Sequence, residues 1–243
     1  MRVIVAENYE AMSRQAANII SSVVVSKPDC VLGLATGSTP IGMYKELIKR
    51  YQEGDLDFSK VKSVNLDEYV GLEPTHDQSY RYFMQTNLFD HVNIDVANTN
   101  VPGGLSEDVD AECARYDEVI RSMGGIDIQV LGMGHNGHIG FNEPAENFPV
   151  GTHQVELAQS TIEANARFFA TMDEVPRKAV TMGIGSIMLA KQILVVVNGE
   201  GKADIVAKAF NGPVTPQVPA SILQLHPNVV LVGDKAALSK LKF

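Results

Sequence analysis

Only two cysteines occur in the 243 residues, Cys30 inside an apolar run and Cys113 inside a helix-like one. That excludes a disulfide framework and suits buried thiols in a reducing, cytoplasmic compartment. No run of Lys or Arg stands in the chain and the formal net charge is −9. Both features argue against nucleic acid or an anionic membrane surface as partner. No apolar stretch approaches bilayer-spanning length. The chain enters at once into Arg2-Val3-Ile4-Val5-Ala6, without the charged and apolar regions of a secretion signal. No fixed-period repeat, low-complexity tract or Pro/Gly/Ser linker divides it. The expectation is therefore one domain over residues 1–243, 45% hydrophobic and able to bury a full core, with a small molecule as its ligand. An anionic ligand remains compatible with an acidic protein if a few fixed donors dominate one pocket.

Short β-rich apolar runs recur at 3–6, 30–35, 61–66, 126–133, 179–183, 193–198 and 229–232, and most read as strands buried on both faces. Helical patterns at 9–24, 43–51, 111–123 and 202–210 lie between several of them. This alternation predicts an α/β fold, a mostly parallel sheet with helices on both faces. Residues 152–175 read as a strand plus a helix carrying Arg167-Phe168-Phe169, expected to form a mobile lid.

Four segments could carry chemistry. Thr36-Gly37-Ser38-Thr39 joins a buried strand to a helix, and its backbone N–H groups and hydroxyls can converge on a phosphate at the helix N-terminus. An ordinary capped turn demands the same residue types. Thr39 is expected to cap that helix and Pro40 to open it. In Asn65-Leu66-Asp67-Glu68-Tyr69, a continuing strand sends Asp67 and Glu68 to opposite faces, so at most one of them faces the crevice at the carboxyl end of the sheet. Taken alone, both would read as solvated loop carboxylates.

The segment from Gly132 to Pro144 is the most informative. Four glycines permit tight turns, while His135, Asn136, His138, Asn142 and Glu143 supply proton-transfer and hydrogen-bonding groups. Metal binding by His135, His138 and Glu143 is a rival, although the glycines break the helical register that usually aligns such ligands. A His merely bonded to backbone in a turn is another reading, more so for His135 than for His138. The last candidates are Arg167 and Lys202, which read as solvated charges unless the fold brings them to a ligand; the turn at Gly199 and Gly201 could present Lys202 at a helix start.

Read together, Thr36-Gly37-Ser38-Thr39-Pro40, Asn65-Leu66-Asp67-Glu68-Tyr69-Val70-Gly71-Leu72 and Gly137-His138-Ile139-Gly140-Phe141-Asn142-Glu143-Pro144 resemble the glucosamine-6-phosphate deaminase family over nearly the whole chain. Asn165-Ala166-Arg167-Phe168-Phe169 and Leu223-Gln224-Leu225-His226-Pro227 add to the likeness. The resemblance implies a Rossmann-like three-layer sandwich and conversion of glucosamine 6-phosphate and water to fructose 6-phosphate and ammonium, with neither cofactor nor metal. It implies that Asp67 moves a proton from C2 to C1. It further implies that His138 assists ring opening with Asn136 and Glu143, and that residues 36–39, Arg167 and Lys202 hold the phosphate.

Two departures stand out. Longer members carry Asp where this chain has Asn136, and an amide cannot accept a proton at neutral pH, which leaves Glu143 as the ionised partner of His138. Longer members also continue past the equivalent of Phe243, and His153-Gln154-Val155 replaces a basic stretch tied to effector binding. The expectation is a monomer or small homo-oligomer without allosteric activation. A sugar-lactone hydrolase of the same fold and a non-catalytic sugar-phosphate sensor are the alternatives; Asn-Leu-Asp-Glu-Tyr and Phe-Asn-Glu-Pro favour the deaminase.

Overall fold

The structure is a computed structural model that describes residues 1–242, with the side chain of Phe168 outside the described residues. The described residues form ten strands and seven α-helices. The strands are β1 (Arg2–Ala6), β2 (Val31–Leu34), β3 (Lys62–Asn65), β4 (Asp67–Tyr69), β5 (Thr99–Asn100), β6 (Ile128–Leu131), β7 (His153–Glu156), β8 (Lys178–Thr181), β9 (Ile193–Val197) and β10 (Val229–Asp234). The helices are α1 (Tyr9–Ser26), α2 (Ile41–Gln52), α3 (Tyr80–Asn87), α4 (Val109–Ser122), α5 (Gln159–Asn165), α6 (Ile184–Met188) and α7 (Ala203–Asn211).

Seven strands form one sheet in the order β1-β10-β9-β6-β2-β3-β5, and every pairing in it is parallel. The buried runs of β2, β6, β9 and β10 account for this, because a strand covered on both faces has no use for polar alternation. The edge strand β1 departs from the expectation of two-faced burial, with Val5 half exposed. Caps start the helices where the chain supplies them: Asn8 accepts from Ala11 N at 2.9 Å, Ser79 from Tyr82 N at 3.0 Å and Asp108 from Ala111 N at 2.9 Å. From β2 the chain order runs outward to β3 and β5, and from β6 outward to β9 and β10. The reversal between β2 and β6 opens a crevice at the carboxyl ends of the strands.

The run at 179–183 is not part of this parallel sheet. It gives β8, the middle of a three-stranded antiparallel sheet ordered β4-β8-β7, with Asp67 opposite Thr181 and His153 opposite the same residue from the other side. Leu66 is the joint, since its N–H donates to Leu34 O in the large sheet and its carbonyl accepts from Met182 N at 2.6 Å. The main core is continuous, whereas Tyr69, Phe141, Leu157, Ile162, Val175 and Ala179 pack as a separate cluster beneath the small sheet and α5. Residues 152–175 do contain a strand and a helix, β7 and α5, and Arg167 lies in the 3₁₀ turn Ala166–Phe168 that follows.

Candidate active site

A cavity of about 620 Å³ opens at the carboxyl ends of β2, β3, β6 and β9, with α5 and its following turn on the far side. It is lined by residues 36–39, Asp67, Asn136, His138, Arg167 and Lys202, so the fold gathers from five separate segments nine of the ten residues to which the family resemblance gives a role. Glu143, the tenth, stands behind His138 rather than on the wall.

Asp67 begins β4, immediately beyond the joint at Leu66. Asp67 and Glu68 take opposite faces, as strand alternation requires, but both are buried rather than solvated. Glu68 accepts from Tyr69 N at 2.8 Å, Tyr80 N at 2.9 Å and Arg81 N at 2.9 Å, so it pins the first turn of α3. No donor among the described residues bonds the Asp67 carboxylate. Burial, and then the Glu68 carboxylate beside it, push the Asp67 carboxyl up to about 8. Such a group can hold or release a proton near neutral pH.

His138 is set by the glycine loop after β6. Its ring occupies the space that a Cβ at Gly134 would need, 2.3 Å from Nε2, and Gly137 and Gly140 take left-handed conformations at φ +89° and +57°. The Asn136 side-chain oxygen accepts from His138 N at 3.2 Å, and Phe141 packs edge-on to the ring. Nδ1 lies 3.2 Å from Glu143 Oε2. The same oxygen accepts from Asn136 Nδ2 at 2.5 Å, while Oε1 accepts from the Thr161 hydroxyl at 2.6 Å. Burial works to raise Glu143, but the bond and charge of His138, then Thr161 and Asn136, outweigh it and bring the carboxyl down to about 2. An ionised Glu143 favours the proton on Nδ1 and leaves Nε2 to exchange protons with a ligand.

At the other end, Gly37 turns at φ +89° and the loop of residues 36–39 is laced from outside. The Tyr9 hydroxyl contacts the carbonyls of Ser38 and Thr39 at 3.1 and 3.2 Å and accepts from Gly42 N at 2.9 Å. Thr39 does not cap α2. Pro40 holds the cap position without a side-chain bond, and the Thr39 hydroxyl donates instead to Asn198 Oδ1 at 2.9 Å, a partner 159 residues away. Lys202, at the cap of α7 as expected, reaches back to donate to Met133 O at 2.6 Å. Burial, with the Arg167 charge behind it, brings the Lys202 ammonium down to about 8. An anion bound beside Lys202 would offset that cost.

His135, His138 and Glu143 do not converge as metal ligands, and among the described residues no group of three or more His, Cys, Asp or Glu side chains is placed to hold an ion. Several site residues went unread in the sequence. Tyr80 forms part of the wall and stacks on Phe141 at 6.0 Å, Thr161 fixes Glu143, and Asn198 fixes Thr39. Tyr80 follows the capping Ser79, but only the bond to Glu68 shows why its ring faces the cavity.

The cavity can thus grip an anion at one end and move protons at the other, the layout of an α/β pocket for a small phosphorylated substrate. The chain belongs to the glucosamine-6-phosphate isomerases/6-phosphogluconolactonase family, which matches residues 5–231. A glucosamine-6-phosphate deaminase of Clostridium perfringens (strain 13 / Type A) is 60% identical over 242 residues, covering 100% of each chain. Another, of Lachnoclostridium phytofermentans, is 63% identical over 232 residues, covering 96% of this chain and 98% of that one. The solved structure of a monomeric glucosamine-6-phosphate deaminase superposes with a TM-score of 0.97 at 44% identity, covering 99% of this chain and 100% of that one. A 6-phosphogluconolactonase from Leishmania guyanensis, at 20% identity and a TM-score of 0.71 over 97% of each chain, shares the fold alone.

Proposed function

We infer that this chain acts as a glucosamine-6-phosphate deaminase, converting glucosamine 6-phosphate and water to fructose 6-phosphate and ammonium. Full-length identity of 60% and 63% to proteins of that name supports the activity. The observation that carries the chemistry is a lone buried carboxylate, Asp67, sharing one cavity with a His138–Glu143 pair and an anion grip.

In this reading the phosphate sits on the backbone and hydroxyls of residues 36–39 and on Arg167 and Lys202, which fixes C2 of the sugar against Asp67. His138, oriented by Asn136 and held by Glu143, takes and returns the proton needed to open the pyranose ring. Asp67 then removes the C2 proton and delivers it to C1, while the C2 ammonium gives up one proton and O1 gains one, so that the aldehyde becomes a hydroxymethyl group and C2 an iminium. Water adds at C2, one of its protons passes to nitrogen, the C–N bond breaks, and ammonia leaves with the hydroxyl proton as ammonium, which leaves the ketone. The ammonium group on C2 of the bound sugar places a positive charge beside Asp67, so substrate itself favours the ionised base.

The segment at 152–175 serves as a lid: it packs on its own apolar cluster, and it touches the site through Thr161 to Glu143 and through Asn165 to the Tyr69 hydroxyl at 2.9 Å. A monomer is proposed by likeness to the monomeric relative. Two buried free thiols support a cytoplasmic setting, and among the described residues no helix is long and apolar enough to cross a membrane. Coupled detection of ammonium and fructose 6-phosphate from glucosamine 6-phosphate, for the wild type and a folded Asp67→Asn, tests the assignment. Release of both products by the wild type alone supports it, and a wild type that releases neither sinks it.

A further inference from the structure

We propose that His135 is a third cationic contact for the substrate phosphate, one that takes up a proton as the dianion arrives. The idea rests on the deaminase reading and extends it to a residue that neither the hydroxyl loop nor the Arg167 and Lys202 pair requires.

The geometry comes first. His135 lies in the glycine loop, on the rim of the same cavity as residues 36–39, Arg167 and Lys202. Its ring leans on the Glu200–Lys202 turn, with Cε1 3.5 Å from the point where a Cβ on Gly201 would stand, an ordinary van der Waals distance. The groups that act on it come from three elements. Lys202 faces it from that turn, Arg167 from the turn after α5, and His138 from its own loop, while the Gly201 carbonyl is its polar neighbour. Lys202 and Arg167 are cationic, and the Lys202 charge weighs most on the ring.

This setting works against a charged imidazole. The Lys202 charge, then burial, hold His135 below the ordinary histidine range, with His138 and Arg167 adding to the repulsion and only the Gly201 carbonyl opposing it. A sugar phosphate brings about two negative charges to the same place. Those charges offset the ones on Lys202 and Arg167, the repulsion on the imidazole is relieved, and the ring can gain a proton close to neutral pH. Lys202, itself down at about 8, takes up part of the same response, so a bulk proton count would not separate the two. The groups bonded to Glu143 are His138, Asn136 and Thr161 rather than His135, which places His135 in binding rather than in proton transfer to carbon.

The test follows the imidazole ring protons of the full chain by NMR across pH, with and without saturating fructose 6-phosphate in ammonium-free buffer. Six histidines are present and His135→Gln identifies the resonance. The expected result is an upward move of the His135 midpoint by about one pH unit or more on binding. Linkage then requires affinity to fall with rising pH, and His135→Gln should weaken binding by about 3–10-fold at pH 6.5 and hardly at pH 8.5. A permanently charged His135→Arg should lose less affinity across that range than the wild type, the remaining decline belonging to Lys202. If the ligand binds and the wild type releases ammonium, yet the His135 midpoint does not move, the proposal is wrong and the deaminase reading stands. If fructose 6-phosphate does not bind and no ammonium is released, both fall together.

Discussion

Two aspartates buried to nearly the same degree, Asp127 at 8% and Asp67 at 6% exposure, sit at opposite ends of the parallel sheet and have opposite electrostatics. Asp127 lies at the amino ends of β2, β6 and β9. There it accepts from Lys27 Nζ at 2.7 Å, Lys191 Nζ at 2.7 Å and Val31 N at 2.8 Å. Burial alone would raise it, but those bonds prevail and hold its carboxyl below the ordinary range. Asp67, beyond the carboxyl end of β3, has burial and a like charge and, among the described residues, no donor. The same residue type is thus a staple at one end of the sheet and a reactive group at the other. Although their exposed fractions match, Asp67 lies deeper below the surface, and only Asp127 is supplied with hydrogen-bond donors.

Removing the reactive carboxylate should have the largest effect. Asp67→Asn is expected to lower kcat by about a thousandfold or more, since it removes the base that carries the C2 proton. The same variant should be more stable than the wild type by about 1 kcal/mol at pH 7.5. The sign follows from linkage: the unfolded carboxyl ionises near 4 and the folded one near about 8, so wild-type stability declines as pH rises through that window. Denaturant titrations at pH 7.5 and pH 4 check this, and a variant equally stable or less stable at pH 7.5 would break the contrast.

Asp127→Asn is the mirror case, expected to cost about 1–3 kcal/mol while leaving kcat intact, because two lysines and a backbone donor lose a charged acceptor. Its folded carboxyl is depressed, so the stabilisation is present above the unfolded value near 4 and disappears as pH falls through the lower folded value. A loss that persists undiminished at pH 2 would contradict it. Glu68→Gln sharpens the comparison from inside the site. Removing the neighbouring charge should lower the Asp67 midpoint and move the acid limb of kcat/KM to lower pH by about one unit or less. An unmoved limb would show that burial alone sets Asp67. The smallest effect is expected for Thr161→Val, which strips one of three partners from Glu143. Its carboxyl should rise from about 2, with kcat down about 3–10-fold, read from a pH–rate profile against wild type.

The loop around His138 and the split of Asp67 from Glu68 were legible in the chain, and these readable parts share a physical cause. Asn136, His138 and Glu143 lie within one short loop, so their convergence needs only local turns that glycines allow. The split of Asp67 from Glu68 follows from the two-residue period of a strand. Their burial did not, because Leu66 carries the chain from one sheet to another and the covering elements arrive from far along the sequence. The Thr39 cap failed for a similar reason, since a distant amide competes for its hydroxyl. The run now seen as β8 looked like one more parallel strand, because its apolar residues carry no mark of pairing direction.

By itself, the sequence determined the kind of fold, the loops that bear the chemistry and the family resemblance, since these depend on residue type and short spacing. Only the tertiary structure decided which carboxylate is satisfied and which is not. It also set Glu143 behind His138 and brought Lys202, Arg167 and His135 to one end of a single cavity. Charge interactions depend on distance through space and on exclusion of water, and neither is written in separation along a chain.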